Sequence, residues 1–455
     1  MSQHLQAALE YTRQHEADFL SSLQEILAFA SISTSEEHFA EIQATARWLA
    51  LRLEALGMQK VAVMPTTGQP VVYGEWLGAP GKPTVLIYGH YDVQPVDPLE
   101  LWHTNPFEAT LKGEKMFARG ASDMKGQVMA CLNAVEAIIR TGQMPVNIKF
   151  LIEGEEEIGS PSLAKWIADN KELLKADFCL NPDAGMLGKE HPTITYGLRG
   201  LASFELTISG PDHDLHSGVY GGVVHNPAKA LAELLAGMHD ENNHITLPGF
   251  YDSVRPLEAE ERAHLAKLPV NAEFIQQQTG IPEVWGEAGY TPVERIGGRP
   301  TLDVNGMLSG FTGAGQKTII PAWAMAKITC RLVPDQTPEA VYEQFKRYLE
   351  AKAPKTIRWD LKLYGGGEAS ISDIDKPWVA ALSQAMQTVW GVEPLFKREG
   401  GSVPVVGLMQ TALGMESVLT GFGLPDDNLH APNEKLDLPT WHKGTETLIR
   451  FFFNL

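Results

Sequence analysis

The residues best suited to chemistry are crowded into Glu-Gly-Glu-Glu-Glu-Ile-Gly-Ser at positions 153 to 160. Val146, Ile148, Phe150 and Ile152 alternate in the stretch before it, which predicts a half-buried strand ending in acids. Four carboxylates within five residues repel one another, so the segment is either a solvated loop or a place that holds cations. Other stretches favour cations. His90 and Asp92 follow an apolar run, Asp123 lies in Ser-Asp-Met-Lys-Gly, Asp183 in Asn-Pro-Asp, and His430 in a late Asn-Leu-His-Ala-Pro turn. Two imidazoles and several carboxylates gathered by folding would hold two divalent metals.

Two cations about 3.5 to 4 Å apart need a shared ligand. A carboxylate bridges with its two oxygens, whereas a neutral imidazole cannot, so Asp123, fixed in a tight turn, is the natural bridge. His90 can bind through one ring nitrogen while Asp92 takes the other N–H and orients the ring. Of Glu156 and Glu157, one can ligate while its neighbour faces the water. Metal binding lowers the pKa of that water to about 7, and a free carboxylate can then remove its proton as it attacks a carbonyl.

The elements that must position these groups alternate. Leu5, Leu9, Phe19, Leu23, Ile26 and Leu27 recur at helical spacing, predicting one or two N-terminal helices. Thr34 with Glu37 reads as a capping box for a helix that stops at Gly57. Strands are expected at 71–76 and 84–88, the second continuously apolar and therefore covered on both faces. Val128, Cys131, Leu132, Val135, Ile138 and Ile139 mark a helix just after Asp123. A helix over 161–174 and a strand over 177–180 follow. This alternation predicts an α/β fold with a largely parallel sheet flanked by helices, and ligands at the carboxyl ends of its strands. From Gly197–Gly200 the order becomes β-α-β-β-α-β: strand 201–209, helix 227–239, strand 301–307, a strand pair over 318–333, helix 338–352, strand 356–364. That is a smaller α+β, ferredoxin-like sheet, carrying an insertion over about 247–300. After Gly365-Gly366-Gly367 the α/β pattern resumes. The expected division is 1–198 with 368–455, interrupted by 199–367.

A chain of 455 residues is too long for a single core. Apolar content of 44% and charged content of 20% suit a globular enzyme. The formal net charge of −19 disfavours nucleic acid and anionic membranes as partners. Three scattered cysteines, Cys131, Cys179 and Cys330, form no disulfide framework and read as buried small hydrophobes in a reducing compartment. With no apolar run near membrane-spanning length and no signal-peptide pattern, a cytoplasmic protein is expected.

The motifs Gly89-His90-Tyr91-Asp92-Val93-Gln94-Pro95, Gly120-Ala121-Ser122-Asp123-Met124-Lys125-Gly126, Glu156-Glu157-Ile158-Gly159-Ser160 and Asp214-Leu215-His216-Ser217-Gly218 carry a resemblance. The chain resembles the cocatalytic dizinc metallopeptidases and amidohydrolases, among them carnosinase, cytosolic nonspecific dipeptidase, carboxypeptidase G, acetylornithine deacetylase and aminoacylase. It is most similar to the dipeptidase branch through Val93-Gln94-Pro95, His216 to Gly222 and Arg331-Leu332-Val333-Pro334. The resemblance implies two divalent ions, zinc before manganese or cobalt. His90 and Asp183 would hold one, Glu157 and His430 the other, with Asp123 bridging through a cis Asp123–Met124 bond. It makes Glu156 the general base acting on a metal-bridging hydroxide and Asp92 the orienter of His90. It also implies a homodimer through the inserted lid domain, His216 reaching the partner's site, Arg331 clamping the substrate carboxylate, and Thr318 and Ser402 lining the pocket. The implied substrate is a dipeptide. The alternatives are an N-acyl amino acid cleaved by a deacylase of the acetylornithine or succinyl-diaminopimelate type, or a silent peptide or amino-acid binder on the same fold.

Overall fold

The computed structural model describes residues 2–401 and 403–455, so Ser402 lies outside the described residues. The chain divides into two compact units, one of residues 1–196, 372–396 and 408–455, the other of 197–371 and 397–407.

The first unit is built on a mixed sheet in the order Gln59–Met64, Val71–Trp76, Asn147–Glu153, Thr84–His90, Phe178–Asn181, Ser417–Leu419, Thr193–Leu198. Its middle strands, from Asn147–Glu153 to Ser417–Leu419, run parallel, while the outer ones pair antiparallel. The α/β expectation therefore holds, with a parallel centre inside a mixed sheet. Asn147–Glu153 is buried along its whole length, not half-buried as the alternation suggested. It lies between two strands, and its polar residues find partners inside. The Asn147 side chain bonds Ala79 and Lys82, and the Lys149 ammonium reaches the carbonyls of Leu173 and Lys175 at 2.6 and 2.8 Å.

Helix Lys125–Thr141 is buried over nearly all its circumference, between the N-terminal helices and the last helix, Leu438–Asn454. The Trp441 indole N–H donates to the Gly126 carbonyl at 2.7 Å, satisfying a wholly buried ring. Each of the large apolar side chains packed here, such as Phe150 and Ile138, contributes about 1.5–3 kcal/mol by leaving water.

Some local expectations fail. Thr34 and Glu37 form no capping box; a 3-10 turn, Glu36–His38, leads into the helix Phe39–Ala55, whose cap is His38. The 161–174 segment is two short helices, Leu163–Asp169 and Lys171–Leu174.

In the second unit four antiparallel strands lie in the order Thr301–Ser309, Trp323–Leu332, Gly200–Ser209, Arg358–Gly367. With helices Pro227–Ala236 and Pro338–Lys352 contributing to one core, this is the expected ferredoxin-like arrangement. Ile319–Ile320 pairs with Leu215–His216 instead of with the strand after it. No helix among the described residues is long and apolar enough to cross a membrane.

Candidate dimetal centre

Three neighbouring parallel strands deliver the ligands at their carboxyl ends. His90 closes Thr84–His90, Asp183 follows Phe178–Asn181, and Glu156 and Glu157 form a 3-10 turn after Asn147–Glu153. That is where an open α/β sheet leaves room for a ligand. Asp123 sits just before helix Lys125–Thr141, and the Asp123–Met124 peptide is cis. His430 comes from the loop after Ser417–Leu419, in a left-handed conformation with φ of 58°.

Asp123 lies between the two imidazoles. Its Oδ1 is 3.2 Å from His90 Nε2, and its Oδ2 is 3.0 Å from His430 Nε2. Asp183 Oδ2 approaches His90 Nε2 at 3.8 Å, and Glu157 Oε2 approaches His430 Nε2 at 3.3 Å. One atom each from His90, Asp123 and Glu157 lie within 4.8 Å of one another, a set able to hold a metal ion. Asp92 Oδ1 is 3.5 Å from His90 Nδ1, which is 3.0 Å from the carbonyl of Asp92 itself. The Asp92 carboxylate also accepts the N–H groups of Glu156 and Glu157 at 3.2 and 3.0 Å. It thus ties down the acidic turn while standing beside the imidazole.

The remaining acids of the cluster are otherwise engaged. Glu153 accepts from the hydroxyls of Tyr88 and Ser160, and Glu155 accepts from the N–H groups of Gln69 and Ser162. Both are buried, so the solvated-loop alternative does not describe this turn.

Electrostatically the cluster is dominated by buried acids. Burial pushes Glu156 and Asp183 up, and burial with the charge of Asp123 pushes Glu157 up to about 8. Asp123 also suffers burial, but the hydrogen bond from His430 and the neighbouring His90 imidazole hold its carboxyl well below the usual range. The hydrogen bond to Asp123 raises His430 to about 9. The charged partners that face these acids directly are the two imidazoles, at 3.0 to 3.8 Å. His90 Nε2 is fully buried and makes no hydrogen bond, although it faces two carboxylates. A buried ring nitrogen without a hydrogen bond and a crowd of buried acids are the donor set that a divalent cation satisfies.

The second unit carries the other predicted site residues. His216 and Thr318 come together where Leu215–His216 pairs with Ile319–Ile320, the Ser217 N–H donating to the Thr318 carbonyl at 3.0 Å. His216 Nδ1 accepts from the Gly218 N–H at 2.9 Å, and the residue is exposed. Arg331 stands in strand Trp323–Leu332, opposite Thr301 and Leu201.

Sequence reasoning missed Gln94, Arg119, Glu434 and Asp427. Gln94 donates to Glu157 Oε2 at 2.8 Å. Glu434 is buried and accepts the N–H groups of Gly120, Ser122 and Asp123, together with the Arg119 guanidinium. Asp427 accepts from the Ser122 hydroxyl at 2.9 Å. Single acids beside His430 carried no pattern, although Glu434 and Asp427 share its loop.

A mixed α/β sheet with clustered imidazoles and carboxylates at its strand ends defines a metallohydrolase-type centre, and likeness to known proteins narrows the class. The chain belongs to peptidase family M20/M25/M40, whose model matches residues 86–454. It is 32% identical to the Cys-Gly metallodipeptidase DUG1 of Candida albicans, covering 98% of this chain and 96% of that protein. It is also 32% identical to human Beta-Ala-His dipeptidase, covering 99% and 92% respectively. Among solved structures it resembles the M20 family metallo-carboxypeptidase Sso-CP2 from Sulfolobus solfataricus, with a TM-score of 0.85 and 36% identity over 95% of this chain and 98% of that one. Human carnosine dipeptidase 1 superposes with a TM-score of 0.79 at 32% identity, covering 99% and 98%.

Proposed function

We propose that this chain is a metal-dependent dipeptidase. The observation that carries the proposal is the placement of Asp123, one carboxyl oxygen toward His90 and the other toward His430. His90 and Asp183 would hold one ion, Glu157 and His430 the other, with Asp123 common to both. Zinc fits this mixed nitrogen and oxygen set, and manganese or cobalt would also be accepted. Bound there, the two cations supply a lowered water pKa and a polarised carbonyl. Glu156 takes the proton from the water that attacks the scissile carbonyl carbon and returns it to the departing amine nitrogen. Burial, which raises its carboxyl, suits it to both steps. Asp92 keeps His90 and the Glu156–Glu157 turn in place.

The second unit acts as a lid and dimerisation domain in this proposal. Arg331 offers its fork to the free carboxylate of the substrate, and Thr318 contributes to substrate binding. His216, exposed on this unit, stabilises the oxyanion at the site of the partner subunit. The edge strand Thr301–Ser309 supports a homodimer, since Val304, Met307 and Leu308 are 43%, 56% and 46% exposed on it. Three buried free thiols suit a cytoplasmic location.

The names of the two relatives, which specify Cys-Gly and β-Ala-His, favour dipeptides over N-acyl amino acids. The test is a panel of dipeptides against N-acetyl and N-succinyl amino acids, run on metal-depleted protein reloaded with zinc, manganese or cobalt. Hydrolysis confined to the dipeptides is expected. Preference for acyl substrates would make the protein a deacylase, and two bound metals with no hydrolysis would make it a binder.

A further inference from the structure

Glu434 has no part in the proposed reaction, yet four donors converge on its carboxylate. Its Oε1 accepts the N–H groups of Ser122 and Asp123 at 3.0 and 3.1 Å. Its Oε2 accepts the Gly120 N–H at 3.0 Å and Arg119 Nη1 at 2.7 Å. Glu434 is wholly buried, and Arg119 is 1% exposed. Arg119 is itself fixed, its Nη2 donating to the Pro95 carbonyl at 2.9 Å and its guanidinium lying over the Trp102 ring at 5.4 Å. The main chain adds a further tie, from the Ala118 N–H to the Glu434 carbonyl at 3.1 Å.

All the backbone donors belong to the turn that ends at Asp123. Gly120 supplies a φ of +82° there, which lets successive N–H groups face one anion. The Asp123 N–H is pinned to Glu434, and the carboxylate on the same residue has one oxygen toward each imidazole. We infer that Glu434 is a positioning residue: it holds the bridging aspartate in register through the backbone of residues 120–123, without touching metal or substrate. Arg119 neutralises Glu434 and aims it, as the fork of a guanidinium can for two acceptors at once. This rests on the dimetal reading of the site.

A role in folding alone would give a different signature from a role in positioning. The experiment is a zinc titration of metal-free protein against a competing chelator, with the melting temperature of each metal-free variant recorded in parallel. Wild type is expected to bind two zinc ions per chain. Glu434→Gln keeps the shape but offers one acceptor oxygen, and its zinc affinity is expected to fall about 10- to 100-fold. Arg119→Lys keeps the charge but loses the fork, and a smaller loss is expected. Glu287→Gln breaks a buried carboxylate paired with Arg299 at 2.7 Å in the second unit. It is expected to lower the melting temperature and leave zinc affinity unchanged. Wild-type affinity in folded Glu434→Gln overturns the inference, whatever its melting temperature. Should that variant not fold, unchanged affinity in Arg119→Lys overturns it. Failure of wild type to bind two ions would sink the dimetal reading and this inference with it, whereas normal wild-type binding with insensitive variants would sink the inference alone.

Discussion

Metal uptake by the metal-free chain is expected to expel protons and to strengthen steeply with pH. His430 is held protonated to about 9 by its hydrogen bond to Asp123, and Glu157 is kept neutral to about 8 by burial and the same aspartate. Each must shed its proton before it can ligate. At pH 7 His430 lies about two units below its pKa and Glu157 about one, so together they carry roughly two protons. Apparent affinity should then rise about a hundredfold per pH unit between pH 6 and 7. His90 and Asp183, both raised well above their ordinary values, add to the count. Calorimetric zinc titrations at pH 7 in buffers of different ionisation enthalpy measure the number directly, and chelator competition at pH 6 and 7 measures the slope. Heats independent of buffer, with a flat affinity profile, would refute the reasoning. Stability of the metal-free chain runs the opposite way. The raised His430 stabilises fully below about pH 6.5, and that stabilisation is lost as pH climbs through about 9. The raised Glu157 favours the neutral acid, so folding weakens as pH rises from about 4.3 through about 8. Between pH 6.5 and 8 the metal-free melting temperature should therefore fall while metal affinity climbs.

Glu156→Ala should retain two metals per chain by elemental analysis while turnover falls by about 10²- to 10⁴-fold, and full activity would remove Glu156 from the role of base. Mixing a His216→Ala chain with a Glu156→Ala chain should restore part of the activity, because one hybrid site would have both groups. No recovery after verified subunit exchange would count against catalysis across the dimer. Gly126→Ala would place its Cβ 2.0 Å from the Ala121 carbonyl oxygen, in the turn that carries Asp123. A stability loss of about 1–3 kcal/mol is expected, read as a lower denaturation midpoint, and an unchanged midpoint would show that the turn can shift.

The parts of the site that were legible in the sequence were those announced by two neighbouring signals. His90 follows an apolar strand and precedes Asp92 by two residues, and the acid-rich turn follows an alternation, so a strand end could be inferred at each. Burial was less legible. Lys149 and Asn147 counted as a polar face, because one sequence does not reveal that carbonyls from the 79–82 and 173–175 segments will converge on them. The capping box failed for a similar reason, since a 3-10 turn at Glu36–His38 displaced the helix start beyond Thr34. Glu434 was invisible because its partners, residues 119 to 123, lie more than three hundred positions away and meet it through backbone N–H groups that leave no trace in residue type.

Cys131, Cys179 and Cys330 are all sealed inside the packed cores, with burial raising each thiol. The native protein should therefore be silent toward maleimides and other thiol-directed dyes. One cysteine introduced on the surface of each unit would accept a fluorophore pair without removal of the natural three, so that the separation between the units could be followed by energy transfer in the working enzyme.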